Sequence, residues 1–315
     1  MPGGPTTVHS AFDPARTVLR ILTPARPPLS ADAGISMLAS VVSNSWTWDP
    51  SLYRGSAEFY AHGRIPYPRA LADALSAELG LDGSGRLLDV GCGPGSLALL
   101  MAERFDEVIG LDADADMIDK ATEFATASGA RNTRWLHMRA EQLPAALGRF
   151  RLITLAQSFH WMDRPKVAAC LHTMLDRNGM CAHVQATTHR GLPHADTHPV
   201  PPYPEIDELV REFLGPIRRA GRGLLPAGTP SGEEQIYQQA GFTRVRRMDV
   251  PGREVTRTVD DLVAAVFSLS SSTPHLFGDH RSHFESRLRT LLKDATPDGL
   301  FRERTREIAI DLWQP

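Results

Sequence analysis

The stretch Leu87-Leu88-Asp89-Val90-Gly91-Cys92-Gly93-Pro94-Gly95 runs without a break into Ser96-Leu97-Ala98-Leu99-Leu100-Met101. An apolar strand that ends in a glycine-rich turn and passes into an apolar helix brings backbone close to a ligand beside a helix N-terminus. A dinucleotide fingerprint would read G-x-G-x-x-G/A, with its third small residue at position 96. Here the glycines are Gly91, Gly93 and Gly95, position 96 is Ser96, and Asp89 stands two residues before the first glycine. A carboxylate there opposes a pyrophosphate and suits a ligand carrying an ammonium and a sulfonium. Seventeen residues after Gly95, Val108-Ile109-Gly110-Leu111-Asp112 ends a second strand on an acid. An acid at that strand tip can accept both hydroxyls of a ribose. Met117, early in the next helix, is placed to lie against an adenine face, and Asp114 or Asp116 to cap that helix.

Working outward, further strands are expected at Thr133 to Met138, Phe150 to Ala156 and Gly179 to Gln185, with a helix from Lys166 to Met174. Upstream, Leu71, Ala74, Leu75 and Leu79 repeat at helical spacing and stop at Gly80. Strands separated by helices imply right-handed crossovers and a parallel sheet. The alternation gives an α/β class with a parallel sheet; the family resemblance carried by the motifs below makes the expected fold a Rossmann-like, doubly wound, mostly parallel seven-stranded sheet with a helical lid and an insertion cap. Residues 1–45 read as an irregular proline-rich arm, 46–80 as lid helices and 81–186 as the cofactor-binding core. A proline-rich insertion follows at 187–232, with helical spacing in Ile206, Leu209, Val210, Phe213 and Leu214; it is expected to cap the acceptor. Residues 233–315 supply closing strands and C-terminal helices. Thr243 to Val250 and Glu254 to Thr258 read as a β-pair, Val259 to Leu269 and His283 to Leu292 as helices, and Arg302 to Arg306 as a solvated helix face.

Composition narrows the function. The 315 residues carry a formal charge of −3 and only three cysteines, Cys92, Cys170 and Cys181, without a CxxC pair. A thiolate zinc site or disulfide scaffold is not expected, and a reducing cytoplasm fits. The acidic balance argues against nucleic acid, and no apolar run is long enough for a membrane span. No cleavable leader pattern is read at the start. His189, His194, Asp196 and His198 cluster on the insertion, but their spacing matches no zinc pattern, so no metal is expected. Oligomeric state cannot be read.

The glycine turn and Gly110-Leu111-Asp112 together resemble class I S-adenosylmethionine-dependent methyltransferases. The likeness continues through His137-Met138-Arg139-Ala140-Glu141-Gln142-Leu143-Pro144 and Ala156-Gln157-Ser158-Phe159-His160-Trp161. It is strongest to the small-molecule subgroup that includes trans-aconitate methyltransferases, whose lid resembles Tyr60-Ala61-His62-Gly63-Arg64-Ile65-Pro66-Tyr67-Pro68. The resemblance implies S-adenosyl-L-methionine as cofactor and a small-molecule acceptor. It implies that Gly91, Cys92 and Gly93 border the methionyl part, Asp112 holds the ribose, and Ala140 and Glu141 meet the adenine edge. Gln157 would border the methionine moiety, Arg64 would pair with the cofactor carboxylate, and Tyr60 would face the substrate. Where the family has Pro-Gly-Gly before its fifth strand, this chain has Arg177-Asn178-Gly179. A left-handed Asn178 would preserve that turn.

His160 and Trp161 follow the fourth strand, at the ligand edge of such a sheet. His160 is the candidate general base, and Trp161 a pocket wall or a π-face for a sulfonium. Two other readings stay open: a nicotinamide-dependent oxidoreductase, disfavoured by Asp89 and Ser96, and an inactive cofactor-binding module acting through partners.

Overall fold

The computed structural model describes residues 49–193, 198–220, 223–224 and 231–315. The expected N-terminal arm, His194 and Asp196 lie outside the described residues. Helices α1 (Ala57–Gly63) and α2 (Arg69–Leu79) precede β1 (Arg86–Val90), α3 (Ser96–Met101), β2 (Glu107–Asp112) and α4 (Ala115–Ser128). Asp114, not Asp116, caps α4: its side chain accepts the Met117 N–H at 3.1 Å, satisfying one of the free donors of the first turn. Strands β3 (Thr133–His137) and β4 (Phe150–Ala156), helix α5 (Arg164–Thr173) and strand β5 (Leu175–Gln185) complete the alternation.

The strand order is β3-β2-β1-β4-β5-β11-β8, with β11 (Ile308–Gln314) antiparallel to both its neighbours. Seven mostly parallel strands are present as expected, yet the seventh is not the one anticipated. Strands β8 (Thr243–Val250) and β9 (Glu254–Thr258) do not pair with each other. β8 lies on β11, while β9 pairs with β10 (Leu300–Arg304) in a separate ribbon. The tail read as a solvated helix face is thus strand, with Glu303 fully buried. Near β5, Asn178 is not left-handed. The chain stays extended through a register shift, and Gly179 is required because a Cβ there would lie 2.7 Å from the Phe150 carbonyl oxygen.

Apolar side chains fill both faces of the sheet. Leu88, Ile109, Ile153 and Phe159 centre one core, and Leu71, Leu87, Val108 and Ile310 the other. A third core lies elsewhere. Helix α6 (Tyr203–Leu214), from the insertion, packs Ile206, Leu209 and Val210 against α8 (Val259–Phe267), α9 (Arg281–Ala295) and Phe301 of β10. The insertion is therefore joined to the C-terminal helices rather than free-standing. Its remaining described elements are the two-residue strands β6 (Arg219–Ala220) and β7 (Gly223–Leu224), ahead of α7 (Glu233–Gln239). Among the described residues no helix is long and apolar enough to cross a membrane.

Helix α1 meets α8 at Gly63, where a Cβ would sit 2.4 Å from the Ala264 backbone. Phe59 packs on Phe267 beside this contact, ring centroids 5.0 Å apart. Gly63→Ala must push the two helices apart, and overpacking of this kind costs about 1–3 kcal/mol. We expect thermal unfolding to show that loss, together with weaker ligand binding, because the next residue is Arg64. An unchanged unfolding midpoint would show that close packing of α1 on α8 adds nothing to stability.

Candidate functional site

Strand β1 lies between β2 and β4, so crossovers leave it in opposite directions. The carboxyl end of such a switch point is where ligands bind in doubly wound sheets. The glycine turn sits there, and its N–H groups are turned inward. Gly91 and Cys92 both donate to the Leu111 carbonyl, at 2.8 and 3.0 Å. Gly93 donates to Asp112 Oδ2 at 2.8 Å, while Asp114 N–H donates to Oδ1 at 2.9 Å. With these donors satisfied internally, the turn is no phosphate cradle.

Glycine is needed here for two physical reasons. Gly91 is left-handed (φ +70°), and a Cβ on it would lie 2.5 Å from Ser158 Cβ. Gly95 and Gly110 are both covered by Trp135, whose ring a Cβ would meet at 2.6 and 2.4 Å. Trp135 pairs with Gly110 across β3 and β2. A glycine inside a strand marks such close approach, a signal present in the sequence that the motif reading passed over.

Beside the turn a cavity opens, lined by Tyr60, Arg64, Tyr67, Asp89, Cys92 and Thr188 among others. Of the expected residues, Arg64, Gly91, Cys92, Gly93 and Tyr60 line it. The Arg64 guanidinium stacks over Tyr60 at 4.8 Å, donates to Ser268 O at 2.8 Å and to Thr188 Oγ1 at 3.4 Å. No carboxylate of the described residues pairs with it, and its buried Nε has no hydrogen-bond partner. Tyr53 and Tyr67 were not anticipated. Burial, then the neighbouring Tyr60, holds both phenols well above the usual range, so they stay neutral donors.

Asp89 is buried beneath the turn and accepts from Thr154 Oγ1 at 2.7 Å. Burial raises its pKa to about 6, and does the same for Asp112. The Cys92 thiol is pushed up by burial as well, then by Asp112 and Asp89, so it is no nucleophile at neutral pH.

The remaining expected residues divide. Met117 is buried on α4. Gln157 follows Ala156, a residue of the cavity wall, in a left-handed conformation (φ +58°), strain that a non-glycine residue tolerates only where its surroundings impose it. Ala140 is buried in a short 3₁₀ turn, while Glu141 Oε1 accepts the Asp163 N–H at 2.8 Å, next to α5. Trp161 packs edge-on against Tyr53, ring centroids 5.6 Å apart, and neither residue is among those lining the cavity. His160 is not brought to the cavity wall. Its charged and titratable neighbours are His183, Glu233 and Arg164, and burial, with His183 next, lowers its pKa to about 4. Of the histidine cluster, the described members are engaged elsewhere: His198 Nδ1 lies 3.3 Å from Asp298 Oδ2, and His189 lines a different cavity.

Residues 87–179 match the family model described as a methyltransferase domain. An uncharacterized methyltransferase, YcgJ of Bacillus subtilis, is 31% identical over 129 residues, 41% of this chain and 46% of that protein. A ubiquinone biosynthesis O-methyltransferase of Psychrobacter arcticus is 34% identical over 110 residues, 34% of this chain and 42% of the relative. A trans-aconitate 2-methyltransferase of Streptomyces avermitilis is 40% identical over 91 residues, 27% and 31% of the two chains. The chain thus spans less than half the length of these curated relatives. The crystal structure of YcgJ superposes on 78% of this chain and 99% of its own, with a TM-score of 0.46 at 19% identity. The likeness to a methyltransferase domain thus falls on residues 87–179, the stretch that carries the inward-turned glycine loop and the carboxylate at the tip of β2.

Proposed function

We propose that this chain transfers a methyl group from S-adenosylmethionine to a small-molecule acceptor. The observation that carries the reading is the Asp112 carboxylate. It stands at the end of β2, fixed by two backbone N–H groups, and a carboxylate keeps lone pairs free for the two ribose hydroxyls. The cavity fits the rest of that cofactor. Arg64, without an acidic partner, suits its carboxylate. The N–H groups of Gly91, Cys92 and Gly93 are spent on Leu111 and Asp112 and do not face a pyrophosphate, which disfavours a nicotinamide enzyme.

When bound, the cofactor supplies a methyl group already activated on a sulfonium. The protein's tasks are then alignment and exclusion of water. Arg64, the glycine turn and Asp112 orient one partner, while Tyr60 and Tyr67 wall the space beside it, Tyr53 packing on Tyr60 and Trp161 on Tyr53. Titration calorimetry with S-adenosylhomocysteine, followed by acceptor screening with methyl-labelled cofactor, tests the reading. Binding without turnover on any acceptor would favour a cofactor-binding module. Quenching of tryptophan fluorescence by NADH alone would favour an oxidoreductase.

His160 stays outside this set. We expect His160→Gln to leave S-adenosylhomocysteine affinity unchanged and saturated turnover within about threefold of the parent. A base role predicts instead a loss of about a hundredfold, and a pH–rate limb near pH 4, where this buried imidazole titrates, that vanishes in the variant.

A further inference from the structure

Under helix α6 lies a second cavity, small at about 30 Å³, lined by His189, Arg190, Arg218, Leu262, Val266 and Leu269 among others. It adjoins the first. Thr188 lines the cofactor cavity and His189, the next residue, lines this one. Arg64 bonds the carbonyl of Ser268, whose neighbour Leu269 is also on its wall.

Positive charge dominates its surroundings. Arg64, Arg190, Arg257 and Arg306 all act on His189 electrostatically, and Asp207, then Arg211 and Arg190, act on Arg218. The acids nearby are already engaged. Asp207 is gripped by both terminal nitrogens of Arg190, at 2.9 and 3.1 Å. Glu303 accepts from Gly191 N–H, Tyr203 Oη and Arg257. Arg218 has no carboxylate of the described residues at ion-pair distance, and the Nε atoms of Arg190 and Arg218 are buried without a hydrogen-bond partner. An unpaired buried donor is costly, and two of them on one cavity signal an acceptor group that completes the site.

Size and lining select that group. The space admits something about as large as one or two waters; Tyr203, Ser272 and the Arg190-bound Asp207 share its walls with the apolar Leu262, Val266 and Leu269. A planar carboxylate group matches that size, with its hydrocarbon stem leaving the space along the apolar wall. His189 remains neutral, its pKa lowered to about 3 by burial and then by the guanidiniums, and can donate to one oxygen.

We propose that this cavity anchors a carboxylate of the methyl acceptor, held by Arg218 and His189 with Arg190 behind them. The assignment rests on the methyltransferase reading and adds the class of acceptor: a small carboxylic acid whose methylated atom lies across Thr188, in the neighbouring cavity.

The test uses the full chain saturated with S-adenosylhomocysteine, titrated calorimetrically with propionate at constant ionic strength. Propionamide is the neutral control and inorganic phosphate the alternative anion. Propionate should bind, propionamide and phosphate should not, and Arg218→Gln should weaken propionate about tenfold or more while S-adenosylhomocysteine affinity holds. Arg218→Lys, which keeps the charge and loses the fork, should fall between and serves if the glutamine variant does not fold. Equal binding of propionamide, phosphate binding in place of propionate, or propionate affinity untouched in both variants overturns the site. Should S-adenosylhomocysteine fail to bind the parent protein, the cofactor reading has failed. Propionate titration of the protein alone then decides the anion site separately.

Discussion

Asp112→Ala is expected to weaken S-adenosylhomocysteine by about a hundredfold or more, since two charge-assisted hydrogen bonds to ribose are lost at about 1.5–3 kcal/mol each. The unliganded protein should remain folded, its stability within about 1 kcal/mol of the parent. Burial raises the folded-state pKa of Asp112 to about 6, above the ordinary carboxylate value of about 3.9. The folded state therefore binds the extra proton between those values, and this group's contribution to stability falls as pH rises through roughly 4 to 6. At neutral pH the ionised carboxylate costs folding energy, and truncation relieves that cost while orphaning the Gly93 and Asp114 N–H groups. Unchanged affinity in the folded variant removes the cofactor assignment.

The same shift gives ligand binding its own pH dependence. Ribose hydroxyls need an ionised acceptor, so affinity should fall about tenfold for each pH unit below 6. Neither the ligand's amine nor its carboxyl group titrates there. Asp89, raised to about 6 as well, sharpens the fall if its charge also favours the ligand. Asp112→Asn should flatten the profile, because an amide does not titrate. A parent profile flat from pH 7.5 to 5 contradicts the role given to Asp112.

The parts of the fold that were legible in the sequence are those whose signal is local. The turn from Leu87 to Gly95 and the acid closing β2 depend on neighbours a few residues away, and their strands, helix and cap appear where spacing put them. The closing strands were misread because their partners are distant. Thr243 to Val250 and Glu254 to Thr258 are neighbours in sequence, yet the first pairs with Ile308–Gln314 and the second with Leu300–Arg304, both more than forty residues later. The run Ile308-Ala309-Ile310 offered a buried-strand signal, overshadowed by the charges just before it. In the site, Arg64, Tyr60 and the glycines were legible through motif resemblance. Tyr53 and Trp135 were not, because what matters is which ring the fold lays over the turn. His160 is buried near His183, Glu233 and Arg164 and is not among the residues lining the cavity beside the turn.

Glu303 carries the largest stability effect we expect. Its carboxylate is fully buried and accepts from Gly191 N–H and Tyr203 Oη, both at 2.6 Å, and from Arg257 at 3.2 Å. Arg257 in turn donates to the carbonyls of Gly63 and Asp261, at 2.9 Å each. This one cluster ties together the end of α1, the start of α8, the β9–β10 ribbon and the segment carrying Thr188 and His189. Glu303→Ala would strand a buried guanidinium, and breaking a buried pair by removing one partner costs about 3–5 kcal/mol. The unfolding midpoint should drop by roughly 10 °C, given about 2–4 °C per kcal/mol in a domain of this size. S-adenosylhomocysteine affinity should fall with it, because Arg64 follows Gly63 directly. Adding Arg257→Met to Glu303→Ala should recover much of the stability, since an apolar side chain of similar length removes the stranded charge. Binding should not recover equally, because methionine cannot donate to the Gly63 carbonyl. If the double variant is no more stable than Glu303→Ala alone, the loss does not come from the uncompensated charge, and the cluster is not the joint that holds the lid.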